Sequence, residues 1–235
     1  MKLENILTLS ADLVCVSGLH IGTGDAEMHI GGVDNAVVKH PITGLPYIPG
    51  SSLKGKIRSL LEWRSGEVQE KPLSWSDYQR SGNDEVLHVL QLFGIGGSED
   101  LSKEEAEKLG PTRLSFWDCS LTEDYQQSVE SCEAAFTEVK WENAINRISG
   151  VAQNPRQTER VPAGARFKFR LTIKKLAGDE DALVNTALEG LKLLQLDSLG
   201  GSGSRGYGKV AFENVKLNGK DIQERFDLAE PFKRG

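Results

Sequence analysis

Hydrophobic and polar residues alternate from the start of the chain. Leu7, Leu9, Ala11, Leu13 and Cys15 fall on one side, and Thr8, Ser10 and Asp12 on the other. A period of two predicts a half-buried strand over 7–16. The clearest alternation comes at 166–174, where Phe167, Phe169, Leu171 and Ile173 oppose Lys168, Arg170, Thr172 and Lys174, so this strand is basic on its exposed face. Elsewhere the period is helical. Leu53, Ile57, Leu60 and Leu61 make an apolar stripe behind Ser51 or Ser52, either of them a natural N-cap. Lys54 and Arg58 share another face of that helix. Val86, Leu90 and Phe93 predict a helix over 84–93, Ser102-x-x-Glu105 reads as a capping box, and Leu183, Val184, Ala187, Leu188, Leu191 and Leu194 predict a helix over 180–196. Shorter extended pieces are expected at 36–39, 113–119 and 137–141. A last strand at 209–217 ends on Asn218-Gly219, a hairpin-turn dipeptide.

Strand, helix, strands, helix, strand is the βαββαβ order of ferredoxin-like folds, an α+β class with one antiparallel sheet and helices on a face, shared by many RNA-recognition modules. Fold alone does not set function. The weakly patterned 65–111 reads as an insertion. The charged, Pro-containing 142–165 is longer than a connection needs and is expected to project as a finger or hairpin.

Composition narrows the class. With 235 residues, 38% hydrophobic and 26% charged, the chain is an ordinary folded, water-soluble protein. No apolar run approaches a membrane span and the first residues alternate instead of forming a leader, so a cytoplasmic location with no membrane partner is expected. Cys15, Cys119 and Cys132 lie far apart with no CxxC, which suggests neither a disulfide framework nor a zinc knuckle.

A net charge of -6 looks wrong for a nucleic-acid binder, but its distribution is uneven. Residues 98–142 carry twelve acids against four bases, whereas 144–178 carry eight bases against the single acid Glu159. Such blocks suit either a polyanion partner or merely solvated faces.

The segment from Gly200 to Gly208 contains GxGxxG, yet a helix precedes it and a strand follows, the reverse of a dinucleotide site. What remains is a glycine-dense loop whose backbone N–H groups can approach a polyanion, with Arg205 and Tyr207 for phosphate and base contacts, or else a flexible linker. Pro49-Gly50-Ser51-Ser52-Leu53-Lys54 is a second phosphate-seeking element if the helix start faces RNA, and an ordinary capped helix otherwise. No nucleophile with its base and no ligand cluster has persuasive spacing, and His20, His29, His40 and His88 are scattered. Asp34, in a Gly-Gly-Val-Asp-Asn loop, is by residue type either an exposed functional carboxylate or a turn residue.

Several segments together resemble the RAMP-superfamily backbone subunit of the type III-A CRISPR (Csm) effector complex. They are GLHIGTGD at 18–25, GGVDNAVVKHPITGLPYIPGSSLKGKIRSLLE at 31–62, LFG at 92–94, FTEVKWENAINRISGVAQNPRQTERVPAGARFKF at 136–169 and LKLLQLDSLGGSGSRGYGKVAFE at 191–213. The resemblance is weak over 65–90, 95–111 and the tail after 218. It implies a single RAMP domain: a ferredoxin-like palm over roughly 1–64, 112–141 and 166–218, an insertion over 65–111 and a β-hairpin thumb over 142–165. Subunits of this family polymerise along CRISPR guide RNA, and each thumb disrupts the guide–target duplex at regular intervals.

The position matching the family's cutting aspartate is Asp34, which implies an antiviral endonuclease acting on complementary target RNA with a divalent metal, Mg²⁺ or Mn²⁺. A ribose 2′-hydroxyl would attack the adjacent phosphate, so RNA and not DNA is cut. Asp34 would serve as metal ligand or proton acceptor; a carboxylate ordinarily ionises near pH ~4, which favours the metal role. His20, Ser51, Ser52, Lys54, Arg58, Gly201, Gly203, Ser204, Arg205, Gly206 and Tyr207 match the guide-binding surface, and Asn154, Pro155, Arg156 and Gln157 the thumb. Implied partners are guide RNA, target RNA, further copies of this chain, the large polymerase/cyclase-domain subunit, the small subunit and two other RAMP subunits. A non-catalytic guide-binding scaffold, the equivalent type III-B subunit and a stand-alone guide-processing endonuclease are the competing readings.

Overall fold

A computed structural model describes residues 1–24, 33–96 and 99–232; His29 and the loop glycines Gly31 and Gly32 lie outside the described residues. The opening alternation becomes β1 (Leu3–Cys15), with Leu9, Ala11, Leu13 and Cys15 buried as expected. Then follow β2 (Tyr47–Ile48), α1 (Gly50–Ser65), α2 (Trp75–Ser81), α3 (Asp84–Phe93), α4 (Lys103–Leu109), β3 (Leu114–Phe116), β4 (Cys119–Ser120), α5 (Glu123–Glu130) and β5 (Glu138–Ile145). The chain ends with β6 (Ala152–Arg160), β7 (Arg166–Leu176), α6 (Asp181–Leu196), β8 (Val210–Leu217), β9 (Lys220–Asp221) and α7 (Gln223–Asp227).

The main sheet has five strands in the order β3-β7-β1-β8-β9, every pair antiparallel. Its first four members reproduce the ferredoxin-like order, with the motif's second and third strands on one side of the first and its fourth on the other. α1 and α6 cover one face. Phe167, Phe169, Leu171 and Phe212 from the sheet pack with Leu53, Ile57, Leu61, Leu188, Leu191 and Leu194 from the helices in one core. Each such side chain stabilises the fold by about 1.5–3 kcal/mol when fully buried. Lys168 and Arg170 stay exposed on the opposite face of β7.

Local signals in the insertion are realised. α3 occupies the predicted 84–93, and Ser102 with Glu105 forms the capping box of α4. α3 has two apolar faces: Val89, Leu92 and Phe93 join the main core, while Val86 and Leu90 join Leu73, Trp75 and Leu109 in a satellite core. At the junction Arg113 is 3% exposed. It pairs with Asp179 through Nε (3.2 Å) and Nη2 (3.0 Å) and donates to the Pro111 carbonyl at 2.7 Å. Asn218 and Gly219 adopt positive φ (50° and 78°) in the turn joining β8 to β9. Beyond it, Phe226 is fully buried with its ring 5.9 Å from that of Phe212, so the tail completes the core.

Several boundaries differ from the periodicity. The 36–39 piece is not a strand but a run of single bridges, Gly22 with Val37 and Lys39 with Pro46. The 113–119 piece splits into β3 and the start of β4, which pair with different partners. Neither Ser51 nor Ser52 caps α1. The N-cap is Pro49, which has no side-chain oxygen, and the Gly50 N–H instead donates to Asp118 Oδ1 at 2.7 Å. The projecting hairpin runs from Glu138 to Arg160, because residues 138–142 pair with 156–160 and not with the main sheet. No helix among the described residues is long and apolar enough to cross a membrane.

Candidate active site

The β5–β6 hairpin is the feature around which the site assembles. It forms its own two-stranded sheet, with Trp141, Ile145, Ile148 and Val151 exposed. Its register shifts between Glu142 and Ala144, where Asn154 takes φ 51° and Pro155 follows. Asn tolerates that left-handed conformation and Pro needs no ladder donor, so the pair suits a bulge. Past the bulge, Gln157 reaches the loop that carries Asp34.

Asp34 is exposed and its Oδ2 accepts from the Gln157 backbone N–H at 2.9 Å. The next residues dock on the same strand: Asn35 N–H donates to the Gln157 carbonyl (3.3 Å), and Glu159 N–H donates to the Asn35 carbonyl (2.9 Å). The Glu159 side chain, 9% exposed, continues the attachment. Its Oε2 accepts from Val37 N–H at 3.0 Å and its Oε1 from Lys39 Nζ at 2.6 Å. Burial works against charge on Glu159, but Lys39, the Val37 N–H and Thr137 outweigh it and hold the carboxyl below the ordinary glutamate range. On the far side, the Glu159 carbonyl lies 2.7 Å from His20 Nδ1. A carbonyl only accepts, so Nδ1 carries the proton.

His20 in turn contacts the glycine loop, where Gly201 N–H donates to the His20 carbonyl at 2.9 Å and Gly208 N–H to that of Gly18 at 2.9 Å. Two positions require glycine. Gly200 and Gly208 have φ of 76° and 73°, and a Cβ there would collide with the carbonyls of His20 and Leu199. Gly203 to Arg205 form a short 3₁₀ turn, with Ser204 and Gly206 exposed.

The loop is tied to the hairpin by Glu142, which the sequence did not single out. Glu142 accepts from Tyr207 Oη (3.0 Å), Arg205 Nη1 (2.9 Å) and Arg156 Nη2 (3.3 Å). Burial disfavours its charge, yet Tyr207, Arg205, Lys140 and Arg156 together hold its carboxyl below the usual range. Tyr207 is itself 1% exposed, with Lys140 Nζ 4.4 Å and Arg160 Cζ 5.0 Å from its ring centre. The expectation that Tyr207 is available for base contacts is therefore corrected: its ring is a buried support for the loop.

Asp34, Arg156, Gln157, His20, Gly201 and Arg205 are thus linked through Glu142, Glu159 and the backbone. On α1, Ser51 is exposed and Ser52 and Lys54 are partly so, but among the described residues no hydrogen bond joins them to that assembly. Arg58 is also corrected. Its Nε pairs with Glu62 (2.7 Å), Nη1 donates to the Gly94 carbonyl (3.0 Å) and Nη2 to the Leu73 carbonyl (2.9 Å), so it braces the insertion against α1.

The site thus combines a ferredoxin-like core, a separate hairpin, an exposed carboxylate at the hairpin base and a glycine loop beside it. Residues 12–211 match the RAMP superfamily, and the chain belongs to it. It is 43% identical to the CRISPR system Cms endoribonuclease Csm3 of Streptococcus thermophilus, over 89% of this chain and 88% of that one. It is 38% identical to the protein of the same name from Methanothermobacter thermautotrophicus, over 95% of this chain and 90% of that one. Among solved structures, the Csm3–Csm4 subcomplex of the type III-A CRISPR-Cas interference complex matches with a TM-score of 0.55 and 27% identity, covering 92% of this chain and 80% of that one.

Proposed function

We propose that this chain is the endoribonuclease subunit of a type III-A CRISPR effector complex, in which it binds guide RNA and cuts complementary target RNA at regular intervals. The observation that carries this reading is the attachment of Asp34 to the hairpin through Gln157. It places an exposed carboxylate at the base of the element expected to part guide from target. Relatives named Csm3, together with the solved Csm3–Csm4 subcomplex of a type III-A complex, favour type III-A over the equivalent type III-B subunit.

The cut is an in-line displacement: a target ribose 2′-oxygen attacks the adjacent phosphorus, the P–O5′ bond breaks, and a 2′,3′-cyclic phosphate and a 5′-hydroxyl remain. The protein's part is chiefly positioning. The hairpin, with Asn154 and Pro155 at its bulge, splays the target nucleotide so that nucleophile and leaving group align. His20, Ser51, Ser52, Lys54, Arg205 and the N–H groups of Gly203 and Ser204 hold the guide backbone, which the exposed Gly201 and Gly206 allow to approach closely.

Among the described residues no three His, Cys, Asp or Glu side chains could enclose a metal. Mg²⁺, however, is commonly held by one or two carboxylates with phosphate oxygens and water. Exposed Asp34 fits that role for Mg²⁺ or Mn²⁺, which when bound would neutralise charge developing on the phosphate.

The apolar side chains exposed on the hairpin suit burial against a neighbouring copy of this chain, since an isolated two-stranded hairpin is marginally stable. The large polymerase/cyclase-domain subunit, the small subunit and two other RAMP subunits complete the proposed cytoplasmic assembly. A reconstituted complex with a guide of known sequence tests the reading: it should cut complementary RNA in a regular ladder, and a single 2′-deoxy substitution at one cut should remove that product alone. Persistence of that product would rule out 2′-hydroxyl attack.

A further inference from the structure

Glu159 is the single acid in a stretch with eight bases, and neither the fold nor the cutting reaction as stated above calls for it. The nearest arginines on its strand are engaged elsewhere, Arg156 with Glu142 and Arg160 with Glu138. Glu159 instead serves the palm through four groups. Its N–H holds the Asn35 carbonyl, its two carboxylate oxygens hold Val37 N–H and Lys39 Nζ, and its carbonyl holds His20 Nδ1.

We infer that Glu159 is a positioning residue for the cut, clamping the segment that carries Asp34 while orienting the His20 ring toward the guide. This role presupposes that Asp34 makes the cut. The segment after Asp34 has no strand of its own to hold it, only isolated bridges. Val37 is 3% exposed, so without the Glu159 carboxylate its N–H would be buried and unpaired, and the segment would shift to satisfy it. In-line attack tolerates little of this, because a displacement of about 1 Å in the reacting groups costs on the order of 100-fold in rate. With Nδ1 donating to the Glu159 carbonyl, Nε2 is the His20 ring nitrogen left to contact a ligand, for example a ribose hydroxyl.

The test uses the reconstituted complex under single-turnover conditions at saturating target, with guide retention, target affinity and melting measured on the same samples. Glu159→Ala is expected to cut about 10- to 100-fold more slowly while guide retention and target affinity stay within about twofold, a loss in the chemical step alone. Glu159→Gln, which keeps an amide oxygen for Val37 N–H but loses the Lys39 pair, should recover part of the rate. Wild-type cutting by Glu159→Ala beside an inactive Asp34→Ala overturns the inference and leaves the Asp34 reading standing. Full cutting by Asp34→Ala overturns that reading instead. Guide retention that falls in parallel with the rate overturns the positioning role in favour of a purely structural one. Should Glu159→Ala fail to assemble, Lys39→Gln, at a half-exposed side chain, should slow cutting about three- to tenfold, and an unchanged rate overturns the clamp.

Discussion

Asp34 and Gln157 are 123 residues apart in sequence, yet the Asp34 carboxylate accepts the Gln157 backbone N–H at 2.9 Å. The side chain proposed to cut is thereby registered to the hairpin proposed to open the duplex. Any displacement of the base of β6 displaces Asp34 as well, so a regular spacing of hairpins along a guide becomes a regular spacing of carboxylates.

The buried Arg113–Asp179 pair joins the insertion to the turn after β7, and the Arg113 side chain is 4% exposed and that of Asp179 10%. Removing one partner of such a pair strands the other's charge. Arg113→Ala should lower unfolding stability by about 3–5 kcal/mol, measured by urea denaturation of the purified chain.

Glu159 also makes stability depend on pH. Its carboxyl is held below the ordinary range in the folded chain, so the unfolded chain binds that proton more readily. Its contribution is then complete above the unfolded value of about 4.3 and disappears as pH falls through the lower folded value. Glu159→Gln should be less stable than wild type at pH 7, with the gap narrowing below about pH 4. Denaturation midpoints across that range decide the point, and a gap that widens with acid would contradict it.

Lys54 has no ion pair among the described residues and lies in the first turns of α1, where a phosphate contact would place it. Lys54→Ala should weaken guide binding across sequences and reduce the slope of log affinity against log salt by about 0.7, as loss of one contact to a single strand requires. Parallel salt plots for mutant and wild type would remove Lys54 from the guide surface.

What could be read from the sequence follows the range of each interaction. α3 and the Ser102–Glu105 box depend on contacts within one or two turns, and their periodicity and capping residues state them directly. The fold class followed from the succession of elements, because few arrangements with short, right-handed connections satisfy it. The cap of α1 could not be read, since it comes from Asp118, 68 residues away. Nor could Tyr207 be placed: among glycines and an arginine it looks like a surface residue, and only Glu142 on a distant hairpin explains its burial. Lys54 and Arg58 look equivalent at i and i+4, but Glu62 and the carbonyls of Leu73 and Gly94 draw Arg58 inward. Glu159 did leave a signal as the lone acid in a basic stretch, although its partners at 35–39 were beyond the reach of local pattern.

Replacing Asp34 by Asn tests its cutting role most directly, because the amide keeps an oxygen for the Gln157 N–H while losing the charge. Guide-loaded complexes carrying wild-type chain or Asp34→Asn would be mixed with end-labelled complementary RNA and Mg²⁺, with target binding followed in parallel. With Asp34 as the cutting residue, binding persists and the regular ladder of products vanishes. An undiminished ladder from Asp34→Asn would contradict that role and make this chain a scaffold for a nuclease elsewhere in the assembly.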